Sequence, residues 1–215
     1  VDAEASAQPA DERTVRWRDV AIPALVLCGA WLAVAAVEFA GVWVARLTTE
    51  SVLIHVAVYT VALTLTVYVV TDQWRLRRPM PLVGALVLSA AAGAGVLVVD
   101  WEPVSVHGYY RLHRADFAAV AVLAATDGGL TPDHYYGELL PPGLDHLSIK
   151  GAAARIESDT PGATALFLPS WSEYPDGPGG FAYAGDSAPE GVYDCYDSPC
   201  RPRWALGDGW YWFER

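Results

Sequence analysis

The chain contains no asparagine, one lysine against 13 arginines, and only three cysteines in 215 residues. Without asparagine there is no N-linked glycosylation sequon. The arginine bias is the composition expected of a GC-rich bacterial genome and carries no function. No Cys-x-x-Cys, P-loop, Gly-x-Gly-x-x-Gly, His-Glu-x-x-His or Gly-x-Ser-x-Gly pattern occurs, so the common signatures of redox, nucleotide, zinc-protease and serine-hydrolase chemistry are missing. No internal repeat is present.

Charge is also scarce. Charged residues are 18% of the chain, against about 25% in an ordinary soluble domain. Hydrophobic residues make up 53%, and mean hydropathy is +0.23. The net charge of −11 argues against nucleic acid as a partner.

What is there is concentrated. Residues 20–45, 51–70 and 82–99 form apolar runs of 26, 20 and 18 residues whose one formally charged side chain is Glu38. A bilayer core takes about 20 apolar helical residues. In lipid the backbone must satisfy itself, so each run is expected to be a transmembrane helix. Ala33-Val34-Ala35 has the form of a signal-cleavage site, but the run continues to Ala45, beyond a signal h-region, and reads as a retained span. Cys28 follows the bulky Leu27 and reads as apolar filler rather than a lipidation site. Pro23 falls in the first turn of its run, where a missing N–H costs little.

Arginine counts give an orientation. Arg13, Arg16 and Arg18 precede the first span and Arg75, Arg77 and Arg78 link the second to the third, whereas Arg46 alone links the first to the second. The positive-inside rule then puts the tail 1–19 and the Arg75 loop in the cytoplasm, and everything from residue 100 outside a cell membrane. Trp17 and Trp74 flank the expected inner face, Trp43 and Trp101 the outer one. Trp31 lies mid-span and is expected to pack on a neighbouring helix. Ala85, Ser89 and Gly93 recur every four residues on the third span, with Ala91 and Gly95 forming a second small-residue row that lets helices approach.

Glu38 and His55 fall at similar depths, about 6–10 Å below the outer interface at 1.5 Å per residue. Tyr59 follows His55 by one turn on the same face. An intramembrane carboxylate costs on the order of 3 kcal/mol and is seldom idle. A Glu38–His55 pair, proton- or ion-responsive or in contact with a partner, is geometrically open.

Residues 100–215 carry 7 basic and 17 acidic side chains, almost all of the chain's net charge. The expected fold is an extracytoplasmic α+β domain, mainly antiparallel β with one or two short helices. Cys195 and Cys200 flank a Ser198-Pro199 turn and are expected to form a disulfide outside the cytoplasm. Residues 117–125 read as a buried helix, although the Ala-Val-Ala-Val alternation leaves a strand open. Thr131-Pro132-Asp133 reads as a helix start, which would bring His134 and Glu138 onto one face. Residues 153–157 and 163–168 read as strands joined by the Asp159-Thr160-Pro161-Gly162 turn. The C-terminus reads as a hairpin on Asp208-Gly209. A two-residue loop would pair Leu206 with Tyr211, Trp204 with Phe213 and Arg203 with Glu214, whereas a three-residue loop would pair Trp204 with Trp212.

Trp171, Trp204, Trp210 and Trp212 are candidates for a binding face. His107, His113, His134 and His146 are the histidines of this half. His134 and Glu138 are weak catalytic candidates. Asp145 and His146 lie shortly after, but the sequence shows neither three ligands converging nor a pocket, so no metal or cofactor is expected. The sequence is most consistent with a multi-pass membrane protein. Its outer domain would bind a partner protein or envelope component as an accessory or assembly subunit, with further contacts through the spans. The alternatives are an ion-responsive or transport subunit using Glu38 and His55, and a surface enzyme using His134 and Glu138.

Overall fold

The computed structural model describes residues 17–40, 48–126, 137–149, 151–171, 179–185, 187–196 and 198–215. Helix α1 runs Trp17–Phe39, α2 Thr48–Arg75 and α3 Pro79–Val98. All three are long and apolar enough to cross a membrane, over Val20–Phe39, Leu53–Arg75 and Pro79–Val98. Because α1 begins at Trp17, Pro23 lies inside the helix rather than in its first turn as the apolar run alone implied.

The described chain divides into two compact units. The first holds residues 17–34 and Val58–Val98. Here α2 ends in a Schellman arrangement: Arg78 N–H bonds the Gln73 carbonyl at 3.1 Å and Arg77 N–H that of Trp74 at 3.0 Å. Arg77 takes the left-handed conformation this requires, φ +52°. Pro79 then opens α3 at the position where its missing N–H is harmless. Ala85, Ser89 and Gly93 are buried on α3, as their spacing implied, whereas Ala91 and Gly95 are exposed. Trp31 of α1 lies over Gly93, where an added Cβ would meet its ring at 3.0 Å. Leu27, Val69 and Ala85 complete this contact between the three helices.

The second unit holds residues 35–40, 48–57 and Val99–Arg215. Helices α4 (Trp101–Leu112) and α5 (Arg114–Ala125) lead into an antiparallel sheet. Its strands are β1 Glu138–Leu139, β2 Ala152–Glu157, β3 Thr164–Trp171, β4 Gly179–Tyr183, β5 Tyr193–Asp194, β6 Pro199–Gly207 and β7 Trp210–Glu214, in the order β1-β2-β3-β4-β7-β6-β5. Strand periodicity gives the sheet two apolar faces. Ala153, Leu166, Leu168, Phe181, Trp210 and Trp212 pack under Val106, Tyr110, Phe117 and Val120 of the helices. On the other face Ile156, Ala165, Phe167, Ala182 and Phe213 pack on Tyr193 and the Cys195–Cys200 disulfide.

The strands expected at 153–157 and 163–168 form, with Arg155 opposite Leu166. The helix over residues 117–125 forms within α5. Helix α4 was not foreseen. The helix expected to run through Glu138 is corrected: Glu138 lies in β1, paired with Ala153. The positive φ of Gly137, +77°, turns the chain out of any helical path there.

The C-terminal hairpin has the two-residue loop, with Asp208 and Gly209 both at positive φ, a type I′ turn. Its register is corrected by bulges at Leu206 and Arg203, which change the frame beyond the Gly207–Trp210 pair. Trp204 therefore faces Trp212, Ala205 faces Tyr211, and Arg201 faces Glu214.

Candidate functional site

Three polar constellations lie in the second unit. The first is at the C-terminal end of α1, which is touched by α4 and by the second turn of α2. Glu38 is in the last turn of α1 and His55 in the second turn of α2, with Glu38 Oε2 and His55 Nε2 3.9 Å apart. That is an ion-pair separation rather than a direct hydrogen bond. Both side chains are partly exposed. Tyr59 is half-buried one turn further along α2. Beside the pair, the buried Ser105 hydroxyl donates to the Phe39 carbonyl at 2.6 Å, satisfying an acceptor that the helix end leaves open. Gly108 lets the Phe39 ring in, since a Cβ there would lie 2.6 Å from it.

The second gathers around the α4–α5 junction. His113 is the single residue between the helices. Its N–H closes α4 on the Tyr109 carbonyl at 3.0 Å, and its carbonyl accepts from Asp116 and Phe117 to open α5. Asp116 thus sits in the first turn of α5, where a carboxylate suits the helix dipole. His146 comes from a 3-10 turn, Asp145–Leu147, pinned by the buried Leu147. The Tyr109 hydroxyl donates to the His146 carbonyl at 2.9 Å, and the Tyr109 ring packs on that of His113 with centroids 4.5 Å apart. The outcome is a near-equilateral triangle. His113 Nδ1 to Asp116 Oδ2 is 3.3 Å, His146 Nε2 to Asp116 Oδ2 is 3.3 Å, and the two nitrogens are 3.2 Å apart. All three side chains are part-exposed. Among the described residues this is the one group of three suited to a metal ion.

The third fastens the hairpin to the helices. Arg114 holds Asp208 through two bonds, 2.7 and 3.0 Å, and the Tyr110 hydroxyl donates to Asp208 at 3.0 Å. Arg114 and Tyr110 together hold the Asp208 carboxyl below its ordinary pKa, while burial and the Asp208 charge push the Tyr110 phenol up to about 12. At the opposite end of the hairpin, Arg203 bridges Glu214 and Glu102. Burial, then the neighbouring Glu214, raises Glu102 from 4.5 to about 7.

Of the residues singled out from sequence, Glu38 meets His55 and Cys195 meets Cys200. Trp210 and Trp212 are corrected from a binding face to the core, because the helix-facing side of β7 buries both rings fully. Trp204 is half-buried, with the Arg203 guanidinium 4.7 Å above it. Trp171 ends β3, and its side chain lies outside the described residues, as does His134. His113 and His146 stand 33 residues apart in the chain, and no sequence spacing joins them. The clue available was His113-x-x-Asp116 at a helix start.

Compared with known proteins, the chain matches no family model, no curated protein and no solved structure.

Proposed function

We propose that the chain is a multi-pass protein of a bacterial cell membrane that holds its C-terminal domain outside the cytoplasm. There the domain binds a partner protein or envelope component, and the chain serves as an accessory or assembly subunit. The observation that carries this reading is the seat of α4 on the end of α1, made by Ser105, Gly108 and Phe39. That contact joins the first helix of the domain to the end of α1 within one compact unit. The orientation rests on the arginine bias and on the disulfide, which belongs to an oxidising compartment. The partners are the bilayer and a protein partner or further copies reached through the spans. Three spans exceed what an anchor requires, and the exposed Ala91–Gly95 row offers close approach. No nucleic acid is involved.

Two measurements test this. A thiol placed at Ser187 should react with an impermeant reagent from outside whole cells, and one at Ser6 should not; the reverse pattern overturns the orientation. Purification in mild detergent should bring down a stoichiometric partner. A monodisperse monomer in every detergent tested counts against the subunit role.

The 3.9 Å contact favours a second reading, in which Glu38 and His55 make the spans responsive to protons or cations. A pH jump on proteoliposomes should give a flux that Glu38→Gln abolishes; no flux from the wild type rejects it. The enzyme reading through His134 and Glu138 loses its basis with Glu138 on a strand.

A further inference from the structure

We propose that His113 Nδ1, Asp116 Oδ2 and His146 Nε2 bind one zinc ion, with its fourth coordination position facing solvent. The argument begins with the triangle. Zinc binds imidazole nitrogen and carboxylate oxygen at about 2.0–2.1 Å in tetrahedral geometry, which sets neighbouring ligand atoms about 3.3–3.4 Å apart. The three separations here are 3.3, 3.3 and 3.2 Å. Octahedral coordination at similar bond lengths would close them to about 3.0 Å. Two imidazoles also select a transition ion over magnesium or calcium, which prefer all-oxygen sites.

Protons are the alternative way to fill the cluster. A neutral imidazole has one N–H, which points at one acceptor. If only one of the two facing nitrogens is protonated, its N–H serves either the carboxylate or the other ring, and two acceptors still face one another. If both are protonated, each ring is a neutral tautomer donating to Asp116, and both N–H groups converge on one carboxylate oxygen. A single cation at the centre of the triangle satisfies all three atoms together.

The scaffold is built before any ion arrives. His113 is fixed by two helix ends, Asp116 by the first turn of α5, and His146 by the buried Leu147 and the Tyr109 hydroxyl. Tyr109 is the positioning residue, since it touches His113 through its ring and His146 through its hydroxyl. The partial exposure of all three ligands leaves room for an exchangeable fourth ligand, water in the isolated protein. Such an ion ties the α4–α5 junction to the turn that precedes β2, across 33 residues of chain.

The test uses the full chain in detergent, without a histidine tag, stripped with EDTA and dialysed. Calorimetric titration with zinc chloride should give one equivalent, and cobalt(II) should give the intense visible bands of a tetrahedral site. His146→Ala should weaken zinc binding more than about a hundredfold, and Tyr109→Phe about tenfold. The wild-type thermal midpoint should climb with the logarithm of zinc concentration, an outcome independent of whether any variant folds. Absence of a midpoint shift and of cobalt bands in the wild type overturns the proposal. So does zinc affinity unchanged in both His146→Ala and Asp116→Ala; either result leaves a hydrogen-bonded triad and no metal.

Discussion

The Ser105 hydroxyl lies 2.6 Å from the carbonyl oxygen of Phe39, so a side chain of the first domain helix caps the end of the first span. Three residues further along α4, Gly108 meets the Phe39 ring itself. Ser105→Ala removes one hydrogen bond and should cost about 1 kcal/mol. Gly108→Val puts a Cβ and two methyl groups where the ring sits and should cost about 1–3 kcal/mol by overpacking. Phe39→Leu combined with Gly108→Val should recover part of that loss, because the crowding is between these two residues. Thermal unfolding of the three variants in one detergent checks the coupling.

A similar contact holds the spans. The Trp31 ring leaves room for a hydrogen at position 93 and little more. Gly93→Leu should lower the unfolding midpoint by the equivalent of about 1–3 kcal/mol. Gly95→Leu, with nothing within 4 Å of its added Cβ, should leave it near wild type. Equal effects of the two substitutions in detergent would show that lipophilicity rather than the Trp31 contact governs the helix.

Glu102 sets an unusual pH dependence. Burial, then Glu214, raises its pKa from 4.5 to about 7, against the opposing pull of Arg203. The folded state therefore holds a proton that the unfolded state has released between those values. The stability this contributes is fully present below about pH 4.5 and is lost as pH rises toward 7. Protonated Glu102 also offers a donor to the Glu214 carboxylate beside it. Glu102→Gln should flatten the decline between pH 5 and 7 and raise the midpoint above pH 7. Melting curves across that range measure both effects. A wild-type midpoint that climbs through it would contradict the assignment.

These residues also show what a sequence can reveal. The spans were legible because hydropathy is a local property, and the Ala85, Ser89 and Gly93 row was legible because its four-residue spacing fixes one face. The Asp208-Gly209 turn was legible because it needs two consecutive positive-φ residues. The hairpin register was not. Its bulge at Arg203 accompanies contacts to Glu102 and Glu214, and Glu102 is on another element. Helix α4 was hidden because Pro103 and Gly108 break its local signal, and the reason for Gly108 is a phenylalanine 69 residues earlier. The His113, Asp116 and His146 cluster was equally hidden. Its first two members are three apart, but the third arrives through a turn whose position depends on the packing of Leu147 and Tyr109.

The disulfide gives the last prediction, in which stability and location are read from the same bond. Cys195 and Cys200 are both fully buried against Tyr193 and Phe213, on the sheet face away from α4 and α5. Closing so short a ring should contribute about 2 kcal/mol by chain entropy. Cys195→Ala with Cys200→Ala should lower the unfolding midpoint accordingly. Reductant should lower the wild-type midpoint by a similar amount and leave the double variant unmoved. In denatured, unreduced protein taken directly from cells, a thiol-reactive polymer should shift the chain by one unit, through Cys28, and by three units after reduction. Three units without reduction would mean that the bond does not form in the cell, removing the disulfide's support for an extracytoplasmic domain. The helix-facing core of Phe117, Phe181, Trp210 and Trp212 contains neither sulfur and holds the domain folded without the bond.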